Sequence, residues 1–145
     1  EIGEAMSQIS LHGHTHSCYP LTCKSALKNL EIIEREKLIE NSQTTGAYLH
    51  EKLLKLQEKY EVIRDVRGRG LLQGLEIEGT KDKDKYILGQ ELYEKMLHGG
   101  LITELESRKN LENVVVVMHP ALITTKENVD EAVEIIDNSL KDCLK

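Results

Sequence analysis

Apolar residues at Cys23, Ala26, Leu27, Leu30 and Ile33 recur three or four positions apart, which is the stripe of an amphipathic helix. Pro20 stands just before it and suits a helix entry, because a first-turn residue needs no N–H. The spacing resumes at Gly46, Leu49, Leu53 and Leu56 and ends near Tyr60. One helix over residues 21–58 would be long for a compact domain, so the pattern predicts a break within residues 36–41.

Then the period changes. Val62, Ile63 and Val66 read as a short strand leading into Arg67-Gly68-Arg69-Gly70, a glycine-bearing turn. Leu75 and Ile77 alternate with Glu76 and Glu78, as in a strand with one face in water. Residues 79–84 form a charged loop, and residues 85–97 a helix with Leu88, Leu92 and Met96 on one face and Gly99-Gly100 as its stop. Residues 101–104 and 114–117 are short strand candidates. The last helix is marked by Thr124 and Glu127, spaced as a capping box, and by a stripe of Val129, Ala132, Val133, Ile136 and Leu140. This order of elements predicts an α+β fold, a short and largely antiparallel sheet covered by helices.

Composition narrows the chemistry. The chain has 145 residues and is 39% hydrophobic, with no Phe and no Trp; a chain of this length buries ~68–70% of its unfolded surface as one domain. The core must come from Leu, Ile, Val and Met. Five tyrosines offer little platform for base stacking, and a net charge of −6 disfavours a polyanion. Both features argue against nucleic acid as a partner. No apolar run approaches the ~20 residues of a membrane span, and no signal peptide is visible. Three cysteines without regular spacing suit a reducing cytoplasm. The chain opens on Glu1 rather than Met, which reads as a piece of something longer.

The densest polar cluster is His12-Gly13-His14-Thr15-His16-Ser17-Cys18-Tyr19-Pro20. Extended, it would set His12, His14, His16 and Cys18 on one face, a zinc- or copper-like ligand set. Alternate residues alone rarely complete a tetrahedron, and Gly13 and Pro20 favour a loop, so a polar loop is the plainer reading. Cys18 or Cys23 with His14 or His16 as base lacks an orienting third group and an oxyanion hole. Arg67 and Arg69 offer a phosphate or carboxylate hold, but their glycines match neither the P-loop nor the dinucleotide spacing; a glycine turn with positive φ is the simpler account. The charges at Glu31, Glu34, Arg35, Glu36 and Lys37 read as a solvated helix face.

Three blocks carry more. The cluster from His12 to Pro20, continuing into Ala26-Leu27-Lys28-Asn29-Leu30-Glu31-Ile32-Ile33-Glu34, resembles HG-x-T-[YF]-[SG]-G-[HN]-P…AL-x-N-L-x-I-[IL]-E. Asp65-Val66-Arg67-Gly68-Arg69-Gly70-Leu71-Leu72-Gln73-Gly74-Leu75-Glu76 is similar to D-V-R-G-x-G-L-x-x-G-[IL]-E. Val117-Met118-His119-Pro120-Ala121-Leu122-Ile123-Thr124-Thr125 resembles an S-P-P-L-[IV]-[IV]-T segment before a final helix. All three, in this order, resemble the class III pyridoxal-phosphate-dependent aminotransferases.

The resemblance implies a fold-type I enzyme, with residues 1–20 the end of the large domain and its cofactor-contacting loop, and residues 21–145 the C-terminal small domain. It implies amino-group transfer through a lysine Schiff base on pyridoxal 5'-phosphate, in a homodimer with its sites at the interface. In that family the threonine matching Thr15, with the backbone of the residue matching His14, reaches the cofactor phosphate of the neighbouring subunit. The Schiff-base lysine and the ring-nitrogen aspartate belong to the large domain, and no segment here resembles them, so no catalytic residue is expected in this chain. Cys18 replaces the family's glycine and Tyr19 its histidine or asparagine. Val117 stands where many members carry a substrate-carboxylate arginine, and Ala121 replaces a proline. The departures at Val117 and Ala121 point to an amine or ω-amino donor with a keto-acid acceptor. Two rivals stay open: a truncated chain that folds and self-associates without activity, and a histidine-cluster metal binder.

Overall fold

A computed structural model describes residues 19–107 and 113–145, and the chain divides after Lys37 into two compact units. In the first unit, helix α1 (Pro20–Arg35) places Pro20 in its opening turn, as its fixed φ favours. It closes with the Glu36 N–H donating to Ile32 O at 2.9 Å and the Lys37 N–H to Glu34 O at 3.2 Å. Lys37 takes a left-handed φ of 51°, which ends one helix and lets the next begin at Leu38. That is the break expected within residues 36–41. The charge run lies on a solvated face, with Lys28–Glu31 at 2.8 Å and Arg35–Glu36 at 2.6 Å.

The second unit holds α2 (Leu38–Lys59), β1 (Ile63–Arg69), β2 (Leu72–Ile77), α3 (Lys85–His98), β3 (Glu104–Ser107), β4 (Val114–Met118) and α4 (Lys126–Cys143). The four strands form one antiparallel sheet in the order β1-β2-β4-β3. One sheet face joins Leu75, Ile77, Val114, Val116 and Met118 to Leu53 of α2, Leu88, Leu92 and Met96 of α3, and Val129, Ile136 and Leu140 of α4 in a single core. The absence of Phe and Trp is met by these aliphatic and methionine side chains, which interdigitate at interior density. The architecture is the α+β layer that the sequence predicts.

Four local expectations are corrected. β1 runs through Arg67, Gly68 and Arg69, and the turn is Gly70-Leu71; of the two candidate glycines only Gly70 has positive φ, at 56°. β2 does not turn its glutamate to water: Glu76 is buried, because Arg67 Nη1 donates to its Oε2 at 2.5 Å and Arg64 lies 3.5 Å from its Oε1. β3 begins at Glu104 rather than 101, since the stretch before it is still closing α3: Gly100 has φ 93° and the Leu101 N–H returns to Met96 O at 2.9 Å. The cap of α4 is Thr125, not Thr124. Asn128 Oδ1 accepts the Thr125 N–H at 3.1 Å, and Thr125 Oγ1 accepts the Asn128 N–H at 3.4 Å. The stop of α3 at Gly99-Gly100 and the stripe of α4 are as predicted.

Candidate functional site

The second of the three sequence blocks builds the hairpin β1–β2, and its tip is clamped to α2. A Cβ on Gly46 would lie 2.2 Å from the Gly70 carbonyl carbon, so helix and turn touch backbone to backbone. Gln73, buried, donates from Nε2 to Gly70 O at 2.7 Å. Its Oε1 lies 2.9 Å from His50 Nδ1, which makes the His50 nitrogen the donor, since an amide oxygen only accepts. The glycines of this block thus serve packing rather than a phosphate.

On the sheet face away from the core, directly paired residues line up across all four strands. Arg67 opposes Gly74, Gly74 opposes Val117, and Val117 opposes Glu104. One row further along, Asp65 opposes Glu76 and Glu76 opposes Val115. Paired residues in an antiparallel ladder share a face, so Val117 sits between a glycine and a carboxylate. Arg67 is occupied. Hydrogen bonds to Asp65 at 2.8 Å and Glu76 at 2.5 Å raise its pKa further above its ordinary value. His119 Nε2 lies 3.3 Å from Glu104 at the end of the same face. A cleft of about 220 Å³ opens near the end of β4, lined by Leu49, Ile102, Thr103, Met118, His119 and Val129 among others. Within the described residues, Thr103 Oγ1 is buried without a hydrogen-bond partner.

A second polar array joins α2 to α4. The Tyr48 hydroxyl donates to Asp130 at 2.9 Å, and Lys52 reaches the same carboxylate at 2.7 Å. The Tyr60 hydroxyl donates to Asp137 at 2.7 Å, beside Lys59 and Lys141, each at 2.5 Å. Lys52 and Lys59 are both pushed upward in pKa by hydrogen bonds to these aspartates.

A pyridoxal phosphate site asks for a lysine that can be neutral, a carboxylate at the ring nitrogen, and free donors for a phosphate. The lysines and the arginine engaged in the arrays above do not fit it. Lys52 and Lys59 are each paired with an aspartate, Arg67 is taken by two carboxylates, and of the hairpin glycines Gly70 is packed against α2 while Gly68 and Gly74 are packed within the sheet. His14 and Thr15, assigned to the phosphate by resemblance, lie outside the described residues, as do His12, His16 and Cys18 of the metal and nucleophile readings. Among the described residues no cluster of three metal-ligating side chains occurs. Cys23 is exposed, and Cys143 is buried with its thiol pKa pushed up by desolvation, the reverse of what a nucleophile needs.

The model of the aminotransferase class-III family matches residues 1–140. The chain belongs to the class-III aminotransferases. It is 38% identical over 134 residues to the adenosylmethionine-8-amino-7-oxononanoate aminotransferase of Methanocaldococcus jannaschii, with 88% of this chain and 27% of that protein covered. It is 32% identical over 134 residues to the (R)-1-hydroxy-2-aminoethylphosphonate ammonia-lyase of Vibrio splendidus, covering 92% of this chain and 27% of the relative. A solved (S)-enantioselective omega-transaminase from Thermomicrobium roseum superposes with a TM-score of 0.81 at 30% identity, over 99% of this chain and 32% of that one. The chain therefore spans 27% of the length of these two curated relatives, and is a partial domain of a class-III aminotransferase. This is a transferase family whose cofactor is pyridoxal phosphate. Among the described residues no helix is long and apolar enough to cross a membrane.

The residues that sequence reading missed are Gly46, Gln73 and the Arg67–Glu76 pair. One signal was available for the pair. Placing the turn at Gly70-Leu71 sets Asp65 opposite Glu76, with Arg67 one step along the same face.

Proposed function

We propose that residues 21–145 are the small C-terminal domain of a pyridoxal-phosphate-dependent aminotransferase, and residues 1–20 the end of its large domain. The whole enzyme transfers an amino group from an amine or ω-amino donor to a keto acid, as a cytoplasmic homodimer with its sites at the subunit interface. This chain supplies Thr15 and the His14 backbone to the phosphate of the neighbouring subunit, whose oxygens need donors. It is incomplete without the lysine-bearing large domain, which with the cofactor carries the covalent chemistry and the electron sink.

The observation that supports the donor class is the row Arg67–Gly74–Val117–Glu104. At Val117 the face offers an aliphatic side chain flanked by a glycine and a carboxylate, and the arginine of that row is engaged by Asp65 and Glu76. An α-carboxylate finds no free cation along this row, whereas an apolar amine meets no penalty there.

The test joins this chain to the large domain of a class-III relative and supplies an amine donor with pyruvate. Alanine formed in step with loss of the amine supports the reading. Release of free ammonia without alanine overturns it in favour of elimination. Val117→Arg is expected to move preference toward α-amino acid donors, and an unchanged donor ratio would remove Val117 from the argument. A second reading, a chain that folds and self-associates without activity, is supported by the lack of a fitting lysine site among the described residues; a joined protein that loads cofactor yet turns over no donor would establish it.

A further inference from the structure

We draw no further inference here: the strongest candidate, the apolar cleft between the end of β4, the segment before β3 and the first turns of α4 with the buried, unpartnered Thr103 hydroxyl in its wall, carries nothing because nothing in the structure shows what covers it.

Discussion

Replacing Gly46 by alanine sets two effects against each other. Gly46 is buried inside α2, where alanine gains about 0.8–1.0 kcal/mol in helix propensity. Its Cβ would meet three backbone atoms of Gly70, the carbonyl carbon at 2.2 Å, the oxygen at 2.3 Å and the Cα at 2.6 Å. None of these can rotate away. The hairpin tip would have to lift by more than an ångström to reach ordinary contact, and Gly70 O is also the acceptor for Gln73, which in turn meets His50. Overpacking in a dense core costs ~1–3 kcal/mol and occasionally more, and loss of a buried hydrogen bond adds ~1 kcal/mol. Net of the propensity gain, Gly46→Ala should destabilise by about 2 kcal/mol. Urea unfolding followed by far-ultraviolet circular dichroism measures it, with Gln43→Ala on the exposed side of the same helix as a control. A Gly46→Ala midpoint equal to or above wild type would refute the backbone contact between α2 and the hairpin.

Asp137 gives a pH test. Burial pushes its carboxyl up, but hydrogen bonds from Lys141, Lys59 and Tyr60 outweigh this and hold it far below the ordinary carboxylate range. A lowered folded pKa contributes stability that is complete above the unfolded value of about 3.9 and is lost as pH falls toward the folded one. Asp137→Asn should cost about 1–2 kcal/mol at pH 7 and flatten the fall in stability below pH ~4; equal slopes for both proteins would contradict the pairing of Asp137 with Lys59, Lys141 and Tyr60. Thr125→Ala should cost about 1 kcal/mol as a lost N-cap, while Thr124→Ala should cost less in thermal unfolding; the reverse order would put the cap back at Thr124. Lys37→Gly should raise stability by roughly 0.5–1 kcal/mol, since glycine takes the left-handed φ of 51° without the Cβ penalty, and a drop in melting temperature would count against that conformation.

Element order was readable because helix and strand periods differ, and α3 and α4 carry both a clean stripe and a stop or cap. The structure departs from the sequence pattern where a local rule has two candidates. Gly68 and Gly70 both suit a turn, and only the pairing of Arg69 with Leu72 selects the second. Thr124 and Thr125 both suit a cap, and the choice depends on Asn128, a side-chain amide that a Ser/Thr-x-x-Glu pattern overlooks. Alternation assigns Glu76 to water, because period-two reasoning cannot see an arginine nine residues earlier folding back across a hairpin. Leu101 looks like a strand residue, yet its N–H returns to Met96 O in the closure of α3, and the strand starts only at Glu104. The family was legible for a different reason. Three strings of residues in family order carry it, and in the second of them Gly70 is packed against Gly46 of α2.

The most direct measurement treats the 145-residue chain with pyridoxal phosphate, reduces it with borohydride and determines its intact mass. The account predicts no stoichiometric adduct at any one lysine, because the residues of this chain supply only part of a site. A single-site adduct on one lysine, discharged by an amine donor before reduction, would contradict it and place the covalent step within this chain.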